Sequence, residues 1–234
     1  GPWQSRLHEL SGGKWYNGDV EMETGSGVVP YKFSKKNAVN AVQWAIGLEV
    51  ALMVEDPWRV FITTDHPNAG PFTAYPDVIK LLMDRDYRAA TLESVHRRAR
   101  SHTNLKDLDR EYSLYEIVTA TRAAPAKTLG LTRKGHLGPG ADADITIYPK
   151  TADVKEMFSK PSYVIKGGEI VVKDGRVVLD KPGKTLHVRP GHDRNIEASI
   201  REDFEKYYTV SFENYPVQIE HYLPRSEVIA CGAS

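Results

Sequence analysis

The sequence of 234 residues has a single cysteine, Cys231. One thiol excludes a disulfide framework within the chain and any cluster held by several of its thiolates. It suits a reducing, cytoplasmic setting, and Cys231 itself reads as an inert tail thiol. An excess of charge of either sign is also missing. The 31 Lys and Arg are balanced by 31 Asp and Glu, for a formal net charge of zero. A nucleic-acid binder would carry a basic face, so no nucleic-acid partner is expected. No apolar run approaches the length of a membrane span, and no secretory leader pattern opens the chain, so no membrane partner is expected either. The eight histidines are scattered and none forms a His-x-His pair. His96 and His102 match no metal spacing and read as surface residues. Gly25-Ser-Gly27 lacks the Lys-Ser/Thr ending of a phosphate loop and reads as a turn. The chain begins Gly1-Pro2 with no methionine, which suggests a fragment, natural or engineered, of a longer protein.

What is present is an ordinary globular composition, 41% hydrophobic and 26% charged. Residues 37–55 predict a helix. Asn37 can cap its start, and the apolar residues from Ala38 to Met53 leave almost no polar face, so the helix should be largely buried. Pro57 ends it. Residues 58–63 then predict a strand, because Val60-Phe61-Ile62 is a continuous apolar run with strong strand preference. A run apolar on both faces suits a central parallel strand, and Asp65 falls just past its C-terminal end, where parallel α/β folds build active sites. From the residues alone Asp65 has two readings: a functional carboxylate, or a loop acid that caps a turn.

Pro76 marks the first turn of another helix, with an apolar stripe at Val78, Ile79, Leu82 and Met83. Residues 88–110 are charge-rich and read as solvated. Ser113-Leu-Tyr-Glu116 is a capping box opening a helix over 114–122, and Pro125 starts a further helical turn that Gly130 closes. The texture then turns to short strands: 145–148, 164–166, and a hairpin over 170–178 with Asp174-Gly175 as its turn. A last amphipathic helix is expected over 196–208. From Ser211 the tail shows no period.

Three segments together resemble the C-terminal part of the metal-dependent amidohydrolases, and more narrowly the A-subunit family of the formylmethanofuran dehydrogenases. They are Thr64-Asp-His-Pro-Asn-Ala-Gly-Pro-Phe72, Thr121-Arg-Ala-Ala-Pro-Ala-Lys-Thr-Leu-Gly-Leu131, and Lys134-Gly-His-Leu-Gly-Pro-Gly-Ala-Asp-Ala-Asp-Ile-Thr-Ile-Tyr148. Gly25-Ser-Gly-Val-Val-Pro30 and Gln43-Trp-Ala-Ile-Gly47 fit the narrower match. The resemblance implies an α/β fold: the C-terminal portion of a (β/α)8 barrel over 1–130, a β-sandwich segment over 131–190, and a C-terminal helix and tail over 191–234. A whole barrel takes roughly 250 residues, so this chain cannot close one by itself.

The resemblance also implies chemistry. The family builds a dinuclear site, usually zinc, from a His-x-His pair, a carboxylated lysine, further histidines and one Asp. Asp65 matches that Asp, as metal ligand and proton carrier, and His66 and Asn68 become candidates for orienting the ligands. The remaining ligands are absent, so zinc belongs to the full-length polypeptide, and no cofactor is expected for this chain alone. The implied reaction is formyl transfer or hydrolysis between methanofuran and formate, in one-carbon metabolism or methanogenesis. The implied partners are the other subunits of a molybdenum- or tungsten-containing complex. The homologous subunit of a formyltransferase/hydrolase complex is an alternative of the same class. A non-catalytic scaffold or subunit-docking piece is an alternative of another class.

Overall fold

The computed structural model describes residues 34–64, 71–189, 191–209, 211–214 and 225–230. Contacts divide the chain into one unit, Tyr31–Pro182, and a second that includes Gly183–Ser234. The first unit is helical in its first half and β in its second, giving the mixed helix-and-strand class.

Helix α1 is Ala38–Met53, and the Asn37 side chain caps it by accepting from the Val39 and Asn40 N–H groups. Ala41, Ala45, Leu48 and Leu52 form its inner stripe. The opposite stripe, Ile46, Val50 and Met53, is 54%, 56% and 64% exposed, so the helix is covered on one side rather than largely buried. An apolar sequence states what a helix can bury; among the described residues only one face has elements of this unit packed on it.

Helix α2, Tyr75–Met83, starts on Pro76 and buries Ile79, Leu81 and Leu82. Asp84 caps helix α3, Arg85–Ser94, by accepting from the Tyr87 N–H at 2.8 Å. A short helix α4, Arg97–His102, follows. The stretch expected to be solvated is in part core: Arg88, Leu92, Val95, Ala99 and Leu105 are all buried. Leu92, Val95 and Ala99 recur at helical spacing, and the charges between them conceal that stripe from a composition reading.

Helix α5, Leu114–Val118, runs without a break through a π-helical turn, Thr119–Ala123, into helix α6, Ala124–Thr128. Its capping box between Ser113 and Glu116 forms as the sequence predicts. The interruption expected before Pro125 is absent. Proline has no N–H, so the Thr121 carbonyl loses its usual helical partner. Arg122 Nη1 takes that carbonyl at 2.9 Å, and the Ala124 N–H reaches back to the Thr119 carbonyl. Gly130, at φ +69°, ends the helix, with the Leu131 N–H on the Ala126 carbonyl at 2.9 Å and the Gly130 N–H on Lys127 at 3.0 Å.

Strands β1 (Ile145–Ile147), β2 (Tyr163–Lys166), β3 (Glu169–Lys173) and β4 (Arg176–Val177) form an antiparallel sheet in chain order. Asp174 and Gly175 both have positive φ, +50° and +73°, which is what a two-residue hairpin turn of matching twist requires. Helix α7, Val154–Ser159, lies between β1 and β2 and packs on α2. Lys155 reaches Asp77 at 2.7 Å, and the Tyr87 hydroxyl donates to the same carboxylate at 2.6 Å.

In the second unit β5 (Thr185–Arg189) pairs in parallel with β6 (Ser226–Ala230). Helix α8, Glu197–Tyr207, stacks Phe204 on Tyr208 at 4.6 Å and edge-on to Phe212 at 5.5 Å.

Candidate active site

Asp65, His66 and Asn68 lie outside the described residues, so the structure describes the segment that delivers them. That segment leaves α1 at Val54 and makes a 3₁₀ turn over Pro57–Arg59, with the Asp56 carboxylate accepting from the Trp58 N–H at 3.0 Å. Residues 60–64 follow and join no ladder among the described residues. This corrects the strand expected over 58–63. The proline and the Asp56 cap favour a turn at 57–59, and residues 60–64 form no ladder with another described strand.

A strand-like signature survives without the ladder. Val60 and Thr64 are buried and Ile62 packs on the core, while Phe61 and Thr63 face outward. That alternation of period two describes extended backbone with one face covered. Val60 itself has extended torsions, φ −115° and ψ +128°. Thr64, immediately before Asp65, is 7% exposed, and its buried hydroxyl has no hydrogen-bond partner among the described residues. Such a group costs about 1–3 kcal/mol when left unpaired in a protein interior. Orphans of this kind call for an explanation, and a functional site is one of them.

The wall beneath the segment is the 114–128 helix. The 3₁₀ turn packs on its π-helical stretch, and Lys127 Nζ lies 5.1 Å from the Trp58 ring centroid. The origin of the segment is held by residues that the sequence reading did not single out. Arg110 Nη1 donates to the Leu52 carbonyl at 2.9 Å and to that of Val54. Its Nη2 donates to the Glu55 carbonyl at 3.3 Å and to the Glu116 carboxylate at 2.6 Å. The Tyr112 hydroxyl donates to the Ala51 carbonyl at 2.5 Å. A helix leaves its last carbonyls without intrahelical partners, and here two side chains from one irregular stretch take several of them.

Arg88 fastens that stretch from behind. It is 1% exposed and donates to the carbonyls of Leu81 (2.8 Å), Leu108 (3.0 Å) and Arg110 (3.0 Å). Burial pushes its pKa below the usual arginine range, with Glu111 opposing that shift. Glu116 carries the opposite balance. Burial raises its pKa, and hydrogen bonds from Ser113 and Arg110 more than reverse this, leaving it below the ordinary glutamate value.

The acids of the Gly-Ala-Asp-Ala-Asp segment are occupied structurally. Asp142 bonds Arg133 at 2.5 Å and Lys134 at 3.0 Å. Asp144 bonds Lys134 at 2.6 Å and accepts from the Gly167 N–H at 2.8 Å, tying the 131–144 loop to the β2–β3 turn. His96 caps α4 and His102 bonds Ser101 and the Arg98 carbonyl, consistent with structural surface roles. Among the described residues no group of three or more His, Cys, Asp or Glu side chains could hold a metal ion, and no helix among them is long and apolar enough to cross a membrane.

Comparison with known proteins bears on the whole stretch. The family model of the amidohydrolases matches residues 6–178. Protein FwdA of Methanocaldococcus jannaschii is 50% identical over 233 residues, covering 94% of this chain and 41% of that protein. The A-type subunit of the formyltransferase/hydrolase complex Fhc of Methylorubrum extorquens is 40% identical over 200 residues, covering 86% of this chain and 36% of that one. A crystal structure of the formyltransferase/hydrolase complex FhcABCD from Methylorubrum extorquens, in complex with methylofuran, aligns with a TM-score of 0.70 at 38% identity. It covers 87% of this chain and 38% of the matched one. The chain thus spans about two-fifths of the length of the curated relatives it matches.

Proposed function

Because the chain belongs to the amidohydrolase family, we propose that it carries part of the active site of a formyl-transferring or formyl-hydrolysing subunit of one-carbon metabolism. The observation that carries this reading is the match to Protein FwdA and to the A-type Fhc subunit over nearly the whole chain. Asp65 is the residue assigned to chemistry. Hydrolysis of a formamide needs a water relieved of a proton and an amine nitrogen supplied with one. A single carboxylate at the right place does both in sequence, taking the proton from the attacking water and returning it to the leaving amine. The reverse order serves formyl transfer from formate to the amine of a methanofuran-type carrier. His66 and Asn68 are assigned the supporting role of orienting that carboxylate.

A dinuclear zinc centre is part of the proposal only for a polypeptide of the relatives' length. The donors described here do not fit such a centre by themselves, since no cluster of three ligating side chains is found among them. One carboxylate from Asp65 is proposed as this chain's contribution, with the other ligands lying outside it. The three-part division at about residues 130 and 190, the completion of a barrel by further chain, and partner subunits bearing molybdenum or tungsten belong to the same proposal. The match to the FhcABCD complex favours a multi-subunit setting and gives weight to the hydrolytic direction.

Zinc uptake and formate release test this reading together. The chain of 234 residues alone should bind zinc weakly or not at all, because one carboxylate cannot replace a shell of about four ligands. The full-length polypeptide should hold zinc and release formate from the formylated carrier, and should lose that activity on chelation. Tight stoichiometric zinc uptake by this chain alone would refute the ligand assignment. A zinc-free full-length polypeptide with no formyl-directed activity would favour the scaffold reading instead.

A further inference from the structure

The segment 54–64 has no ladder of its own among the described residues, and in sequence it leads directly to Asp65, the residue assigned to chemistry. Its course is set by its origin, by the inward packing of Val60, Ile62 and Thr64, and by the surface beneath. At its origin stand the carbonyls of Leu52, Val54 and Glu55, all taken by the Arg110 guanidinium. Beneath it runs the 114–128 helix, on whose π-helical stretch the 3₁₀ turn rests. Arg110 touches both. Its contact with the helix is Glu116, whose other carboxylate oxygen accepts from the Ser113 N–H at 2.8 Å and hydroxyl at 2.9 Å, at the start of that helix. The pair is largely shielded, with side chains 24% and 20% exposed.

We propose that Arg110, locked by Glu116, is a positioning residue for Asp65: it ties the origin of the 54–64 segment to the helix on which the segment lies, and so sets where the segment ends. This rests on the reading of Asp65 as the proton carrier. The fork geometry is what makes an arginine necessary. Three carbonyls and a carboxylate lie around one planar group, and a lysine ammonium has only three donors on a single atom. The arginine also sits where a helix C-terminus favours positive charge. Its own carbonyl is fixed by Arg88 at 3.0 Å, and the stretch carrying it is pinned by the Tyr112 N–H on the Leu82 carbonyl at 2.9 Å. The clamp is therefore anchored on the core rather than on the surface. A catalytic group displaced by about 1 Å loses on the order of 10²-fold in rate, so a loosened clamp has a large kinetic lever.

The test is a double-mutant cycle in the full-length holoenzyme, with metal content and thermal midpoint measured for each variant. Arg110→Met should lower kcat by about 10- to 100-fold with KM little changed. Arg110→Lys should recover part of the loss. In an Asp65→Asn background, Arg110→Met should cost almost nothing further, because the residue acts through Asp65. Glu116→Gln keeps the carbonyl contacts and loosens only the tie to the helix. It should show a smaller kcat loss with the same lack of additivity, and it carries the test if Arg110→Met does not fold. Losses that multiply, or an Arg110→Met enzyme at the parent rate, overturn the inference. A fully active Asp65→Asn enzyme instead overturns the functional reading on which it rests.

Discussion

Replacing Arg88 by methionine keeps a long unbranched side chain and removes every donor. Three carbonyls, those of Leu81, Leu108 and Arg110, then lose their partner in a place where the side chain is 1% exposed. Each buried polar group left unpaired costs about 1–3 kcal/mol. Against that sum stands the desolvation of the guanidinium, several kcal/mol in the parent, which the variant no longer bears. A net loss of about 3–5 kcal/mol is expected, from roughly 3–9 kcal/mol for three unpaired carbonyls less the recovered desolvation. For a chain of this size each kcal/mol shifts the thermal midpoint by about 2–4 °C, so the midpoint should fall by about 6–20 °C. Far-ultraviolet circular dichroism on heating, together with the urea midpoint, reads both quantities. Arg88→Lys should lie between the two, since its single ammonium cannot span three separated carbonyls. A loss below about 1 kcal/mol for Arg88→Met would show that water or backbone adjustment satisfies these carbonyls, and that the stretch 108–110 is not held as described.

Glu116 predicts a pH dependence. Its folded pKa lies below the ordinary glutamate value, so its ionised form adds stability that is complete above that value and is lost as pH falls through the folded one. The gap in thermal midpoint between the parent and Glu116→Gln should be steady near neutral pH and close below about pH 4; a gap that widens on acidification would contradict this. Two glycines separate conformational freedom from space. A Cβ at Gly47 meets nothing within 4 Å, so Gly47→Ala should stabilise the chain by about 0.5–1 kcal/mol through helix propensity. A Cβ at Gly135, at φ +79°, would lie 2.6 Å from Ala126 Cβ and 2.9 Å from the Arg122 carbonyl, so Gly135→Ala should cost about 2 kcal/mol or more. Thermal midpoints of opposite sign for the two variants check both statements at once.

Local chemistry made much of the fold legible. Asn37 and Pro57 bracket the first helix, Ser113 and Glu116 open another, and Asp174-Gly175 forms the hairpin turn, because each of these residues acts on its own backbone neighbours. What escaped the sequence depends on partners far along the chain. A charged residue inside a charge-rich stretch reads as surface, and only the packed structure shows that Arg88 faces three carbonyls. Arg110 is hidden for the same reason: its carbonyl acceptors lie more than fifty residues upstream. Residue preference alone makes the apolar run at 60–62 a strand, but a ladder needs a partner strand, and residues 60–64 join none among the described residues. The parallel partner of β5 lies some forty residues beyond it, past a helix, where the tail shows no period. Of the candidate site, the identity of Asp65 came from resemblance, and the clamp that leads to it came from the structure alone.

The most direct measurement of the functional account is the rate of the Asp65→Asn variant of the full-length holoenzyme, taken with its metal content. The substitution keeps the size of the side chain and removes its ability to carry a proton. The account predicts a kcat loss of about 10²–10⁴-fold on formyl transfer or hydrolysis, with metal retained and the loss falling on the chemical step. An Asp65→Asn enzyme that keeps its metals and works at close to the parent rate would contradict it, and would leave the Thr64-Asp-His-Pro-Asn68 stretch as a turn.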